Sequence, residues 1–101
     1  MAYGFNNDKS KAPMGFTTNR VVKTISSIPS GSTVSTNVEC SLTGYTPLGI
    51  VGWSVSDKAV NLVSASASTQ GGDKVVFEAA NTGSTAISNA EISFVVLYEA
   101  N

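Results

Sequence analysis

Between Ala90 and Tyr98 the chain alternates by side: Ala90, Ile92, Phe94, Val96 and Tyr98 fall on one face of an extended backbone, and Glu91, Ser93, Val95 and Leu97 on the other. A period of two over nine residues predicts a strand. The same pattern recurs along the chain between turn signals. Runs at Arg20 to Ile28, Thr33 to Thr43, Leu48 to Val55, Ala59 to Ser66, Lys74 to Ala80 and Asn89 to Tyr98 are separated by Pro29–Gly31, Gly44–Pro47, a polar stretch ending in Gly71, Gly72 and Asp73, and Asn81 to Ser88. Strands at this spacing predict an all-β antiparallel sandwich of six to eight strands, of immunoglobulin-like type. The runs are filled with β-branched residues, Ser and Gly, so helix content is expected near zero.

Two packed sheets would bury Val34, Val38, Leu42, Ile50 or Val51, Trp53, Leu62, Phe77, Ile92, Phe94 and Val96. The opposite faces read as largely Ser, Thr, Asn and Ala: polar but scarcely charged. The last two runs, Lys74 to Tyr98, read as a closing hairpin, with Glu78 and Glu91 on its solvated side and Asn81 to Ser88 as a contact loop.

Residues 1–18 are organised differently. Gly4, Asn6, Asn7, Asp8, Lys9, Ser10, Lys11, Pro13 and Gly15 carry no sustained apolar period, which predicts an extended arm before a domain over residues 19–101. Tyr3, Phe5, Met14 and Phe16 are large apolar residues in this arm, and anchors of that kind seek a surface, on a neighbour or on the chain's own domain.

Composition narrows the function by exclusion. With no histidine, a Ser-His-Asp triad, a Cys-His pair and a histidine-ligated metal site cannot be built from this chain. Cys40 has no partner for an intramolecular disulfide, and it continues the pattern Val34, Thr36, Val38, Cys40, Leu42 as a buried small hydrophobe. Gly71-Gly72 lacks the lysine and the helix of a phosphate loop and reads as a turn. The carboxylates, Asp57 and Asp73 included, form no recognisable ligand or acid-base set. The expectation is a chain that is not an enzyme and needs no cofactor or metal. A net charge of −1, with Lys9, Lys11 and Arg20 as the only clustered basic residues, argues against nucleic acid as a partner. No stretch approaches the length of a membrane span, and the start has no apolar segment of signal-peptide length, so synthesis in the cytoplasm and no membrane partner are expected. Trp53 admits two readings, a core side chain or an exposed platform for a sugar ring; Tyr45, before Thr46 and Pro47, reads as a turn residue open to contact.

The arrangement GYTPLGIVGWSVS at Gly44 to Ser56, followed by VVFEAANTGSTAISNAEISFVVLY at Val75 to Tyr98, resembles the terminal β-sandwich of small tailed-phage virion proteins, and MAYGFNNDKSK at Met1 to Lys11 resembles the starts of small phage structural proteins. The resemblance covers nearly half the chain and rests on turn and strand patterns. It implies a virion component made in the host cytoplasm, a decoration, fibre or tail-appendage subunit. Such a subunit assembles as a homo-oligomer with capsid or tail proteins, attaches through its arm, and presents loops such as Tyr45 to Pro47 and Ser68 to Asp73. A second resemblance competes with it. FEAANTGSTAISNAEISF at Phe77 to Phe94 is similar to the strand, loop, strand unit of bacterial immunoglobulin-like surface modules, which implies adhesion. A carbohydrate- or receptor-binding module, with Trp53 or the tyrosines against a host-surface glycan, is the remaining alternative.

Overall fold

A computed structural model describes residues 15–101; Tyr3, Phe5 and Met14, and the anchoring role expected of them, lie outside the described residues. Six strands follow one another: β1 (Phe16–Ile28), β2 (Thr33–Glu39), β3 (Tyr45–Val55), β4 (Val60–Ser68), β5 (Lys74–Asn81) and β6 (Ile87–Ala100). They make two antiparallel three-stranded sheets, ordered β1-β6-β3 and β2-β5-β4. The described part is thus all-β, with strands close to those the alternation predicts. β1 starts earlier than expected. Phe16, Thr17 and Thr18 are strand and not arm, because β6 runs on to Ala100 and gives them partners at Glu99, Tyr98 and Leu97.

The two most regularly alternating strands, β5 and β6, are the central ones. Their inward rows, Val75, Phe77 and Ala79 on β5 and Ile92, Phe94, Val96 and Tyr98 on β6, are almost wholly buried. A central strand has both backbone edges paired and one face covered, so it shields large apolar side chains best. The layers meet at Phe77 and Phe94, whose ring centroids are 4.9 Å apart at a tilt of 56°. Val34, Val38, Leu42, Ile50 and Leu62 pack around this core, half-buried, from the flanking strands and loops.

The hairpin expected over Lys74 to Tyr98 does not form. β5 and β6 belong to different sheets, and the residues between them carry the chain from one layer to the other. Only β4 and β5 are consecutive strands paired in one sheet; the other four connections cross between layers. Glu78 and Glu91 consequently stand on opposite layers and are not neighbours. The crossings are tied together at Asn81, which is buried and not part of an open contact loop. Its Nδ2 donates to the Ile28 carbonyl at 2.9 Å and the Thr85 carbonyl at 2.8 Å, and its Oδ1 accepts from the Gly83 amide at 2.8 Å. Its backbone donates to the Ser32 carbonyl and accepts from the Gly31 amide, so the β1–β2 turn and the β5–β6 crossing hang on one residue.

Trp53 and Val51 also depart from the expected core. Trp53 pairs with Phe94 and so lies on the inward side of β3, yet it is 51% exposed. β3 is an edge strand, and the nearby layer offers small side chains: Ala65 and Ala67 of β4, paired with Phe77 and Val75. The indole therefore stands at the open side of the two layers. Val51, 60% exposed, is the extra residue of a β-bulge.

Candidate functional site

The outer face of β1-β6-β3 is one of the two sheet faces that residues 15–101 leave uncovered. On β6 its row reads Glu91, Ser93, Val95, Leu97, Glu99. Val22 on β1 pairs with Ser93, Arg20 with Val95 and Thr18 with Leu97. On β3 the partners of Val95 and Leu97 are both glycines, Gly52 and Gly49. Two bulges push one residue each into the row beside them, Leu48 and Val51, which are 49% and 60% exposed. Val22, Leu48, Val51, Val95 and Leu97 thus form an apolar strip with a shallow trough at the glycines. The expectation of a Ser, Thr, Asn and Ala face fails for this sheet: Val22, Val95 and Leu97 stand outward by alternation alone, and bulges add Leu48 and Val51, which a strict period of two assigns elsewhere.

The other outer face meets that expectation. Thr33, Ser35, Asn37 and Glu39 on β2, Lys74, Val76, Glu78 and Ala80 on β5, and Asn61, Ser64, Ser66 and Ser68 on β4 make it polar. Val76 and Val63, the extra residue of the β4 bulge, are the apolar exceptions on this face, 45% and 51% exposed, and Ser35 Oγ donates to Glu78 at 3.4 Å. The two layers therefore differ in what they offer a partner.

The residues expected to touch a ligand are scattered. Tyr45 is the first residue of β3, half-buried against the core, and Pro47 is buried; the Tyr45 to Pro47 segment is strand and not a presented turn. Trp53 lies on the side of β3 opposite the apolar strip. Between β4 and β5, Thr69 to Gly72 is exposed, as expected. Phe16 lies at the end of the strip, opposite Glu99.

Chemistry is sparse. Among the described residues, no three His, Cys, Asp or Glu side chains come together to hold a metal ion, and no helix is long and apolar enough to cross a membrane. Cys40 is buried, and burial pushes its thiol up from the usual range, away from the reactive thiolate. Above it the Tyr98 hydroxyl donates to the Cys40 carbonyl at 2.6 Å, closing β6 over the end of β2. Burial, reinforced by the neighbouring Cys40, pushes Tyr98 up from 10.0 to about 12. The folded state thus holds this proton more tightly than the unfolded chain. Stability from this group is complete below pH ~10 and falls by about 2–3 kcal/mol as pH rises to ~12. Urea titrations across that range should show the fall in the wild type and a flatter profile in Tyr98→Phe. At neutral pH that variant should lose about 1 kcal/mol with its hydrogen bond; an unchanged alkaline slope would assign it to other groups.

Apolar strip, strand glycines and edge bulges are the features of an interaction surface, and strict alternation passes over them: Leu48, Gly49 and Gly52 lie inside the Leu48 to Val55 run with no role assigned, and Val51 reads only as an alternative to Ile50 in the core. No family model, curated protein or solved structure matches the chain.

Proposed function

We propose that this chain is a non-enzymatic structural subunit of a phage particle: an immunoglobulin-like β-sandwich that packs against neighbouring virion proteins, as a decoration, fibre or tail-appendage component. The observation that carries the reading is the apolar strip of Val22, Leu48, Val51, Val95 and Leu97 on a sheet face that nothing in residues 15–101 covers. A contiguous apolar patch on a small domain marks an interaction surface. The fold supports the same role at its edges. Two bulges and Pro47 interrupt β3, and a bulge interrupts β4, so growth by strand addition is blocked on that side, while β1 and β2 keep regular edges. The turn and strand patterns shared with small tailed-phage virion proteins supply the particle.

Co-expression with the neighbouring virion proteins tests this, followed by light scattering of the purified chain and analysis of particles. Incorporation that is lost in Val51→Asp with the fold retained is the expected result. A wild-type chain that stays monomeric at high concentration and enters no particle would sink it. A second reading rests on Trp53, whose indole is half exposed at the open side of the layers and has the form of a stacking platform for a host-surface glycan. Reproducible binding on a glycan array, abolished by Trp53→Ala in a folded protein, would favour that reading instead.

A further inference from the structure

Of the four edge strands, three carry a feature that hinders the addition of a further strand. β3 has Pro47 and two bulges, and β4 has a bulge. β1 is regular, but Lys23 pairs with Ile92 and so places a charged side chain in the inward row, where an added neighbour would shut it away from water. β2 has none of these devices. Thr33–Glu39 runs in unbroken register with β5, contains neither proline nor glycine, and carries its single charge on its last residue. Among the described residues no strand pairs with its other edge.

The bonds at the two ends of β2 show which groups that edge presents. The Asn81 amide donates to the Ser32 carbonyl at 2.9 Å and the Cys40 amide to the Asp73 carbonyl at 3.0 Å, so just beyond both ends the even-numbered residues bond towards β5. In an antiparallel ladder the bonding direction alternates residue by residue. Val34, Thr36 and Val38 therefore turn their backbone groups to β5, and Thr33, Ser35, Asn37 and Glu39 turn theirs to the open edge. We infer that this edge pairs with the same edge of a second copy of the chain, antiparallel about a two-fold axis through Thr36, joining two three-stranded sheets into one of order β4-β5-β2-β2-β5-β4.

The residues of β2 are self-complementary about that axis. Thr36 is the middle residue of the strand, so Thr33 meets Glu39 of the other copy, Val34 meets Val38, Ser35 meets Asn37, and Thr36 meets Thr36. Every edge-facing residue then finds an edge-facing partner, and the two strands exchange about eight backbone hydrogen bonds. On the inward side Val34 and Val38, half-buried at the margin of the core, cover each other across the junction. Charge raises no obstacle. The two Glu39 carboxylates stand at opposite ends of the pair, ~20 Å apart along the strands, and each already faces Lys74 of its own β5. An axis through Ser35 or Asn37 fits worse, since it leaves two residues of each strand unpaired and sets a valine against Thr36.

The pairing goes beyond the assembly reading and does not depend on it, because the edge belongs to one layer and the apolar strip to the other. Sedimentation equilibrium of the full chain at concentrations up to ~1 mM tests it, and the expected result is a reversible monomer–dimer equilibrium. Asn37→Pro removes an amide that faces the open edge and none that bonds to β5, so the fold should stay while the dimer Kd rises about tenfold or more. Thr36→Cys sets two thiols on the axis with Cα atoms ~4.5 Å apart, within disulfide range, and should cross-link under mild oxidation far faster than Ser66→Cys on the bulged edge of β4. A wild-type chain that stays monomeric throughout, a dimer indifferent to Asn37→Pro in a folded variant, or equal cross-linking of the two cysteine variants would each overturn the inference. Should Asn37→Pro fail to fold, the cysteine pair decides alone. A monomer that still enters particles would fail this inference and leave the assembly reading standing; a dimer that never enters them would do the reverse.

Discussion

Phe94→Ala should destabilise the protein by about 3–5 kcal/mol, enough to unfold a large fraction of the molecules if the domain has ordinary stability. Phe94 is wholly buried on the central strand of its sheet, and its ring meets Phe77 of the other central strand at 4.9 Å. Removing it deletes apolar contact in the middle of the core that both layers share and leaves a cavity that two hydrogen-bonded central strands cannot close around. Phe77→Ala should cost a similar amount. The double variant should cost less than the sum of the two, with a coupling of about 0.5–1.5 kcal/mol from the ring pair. Trp53→Ala, though it removes a larger side chain, should cost clearly less, since half of that surface faces solvent in the folded state. Urea unfolding of the three single variants checks the order. A Phe94→Ala loss under ~1 kcal/mol, or a Trp53→Ala loss above that of Phe94→Ala, would mean that the layers are not packed as described.

That order also shows what the sequence conveys. Alternation from Ala90 to Tyr98 identifies the buried row of β6 residue by residue, and the six runs fall where the strands fall, because one face of each strand must be apolar to be covered. Alternation does not say which strand lies beside which. The few residues after Asn81 can join two strands ~5 Å apart in one sheet or two layers ~10 Å apart, and they do the second, so the expected hairpin is a crossing between layers. Side-chain size does not say where an edge is, and Trp53, the largest side chain, stands at one with Ala65 and Ala67 on the nearby strand. The apolar strip was partly visible, since Val95 and Leu97 sit among the outward residues of β6. Its other half depended on bulges at Leu48 and Val51, which a strict period of two cannot anticipate. Asn81 was hidden by its type: asparagine at the end of a strand signals a turn, and nothing local announces that the side chain points inward.

Asn81→Ala should cost about 3 kcal/mol although it removes almost no apolar surface. The side chain makes three hydrogen bonds, and truncation leaves the Ile28 and Thr85 carbonyls and the Gly83 amide without their partner. A buried polar group left unmet costs about 1–3 kcal/mol, so the bond facing Ile28, itself fully buried, dominates. The effect should be larger than for any exposed hydroxyl in the chain, since at Ser54 and Ser93, joined at 3.2 Å on the surface, water replaces what is lost. Asn81→Asp separates geometry from donation. It keeps an acceptor for Gly83 but loses the donors and directs negative charge at two carbonyls, so at neutral pH it should be at least as damaging as alanine. It should recover part of the loss in acid, where the protonated carboxyl regains one donor. Native-state hydrogen exchange supplies the local readout. The Gly31 and Asn81 amides, which bond across the same junction, should exchange faster in both variants than in the wild type, ahead of the amides of mid-β6. Equal acceleration of all amides would show that Asn81 stabilises the domain only globally and does not pin the junction where the chain passes between its layers.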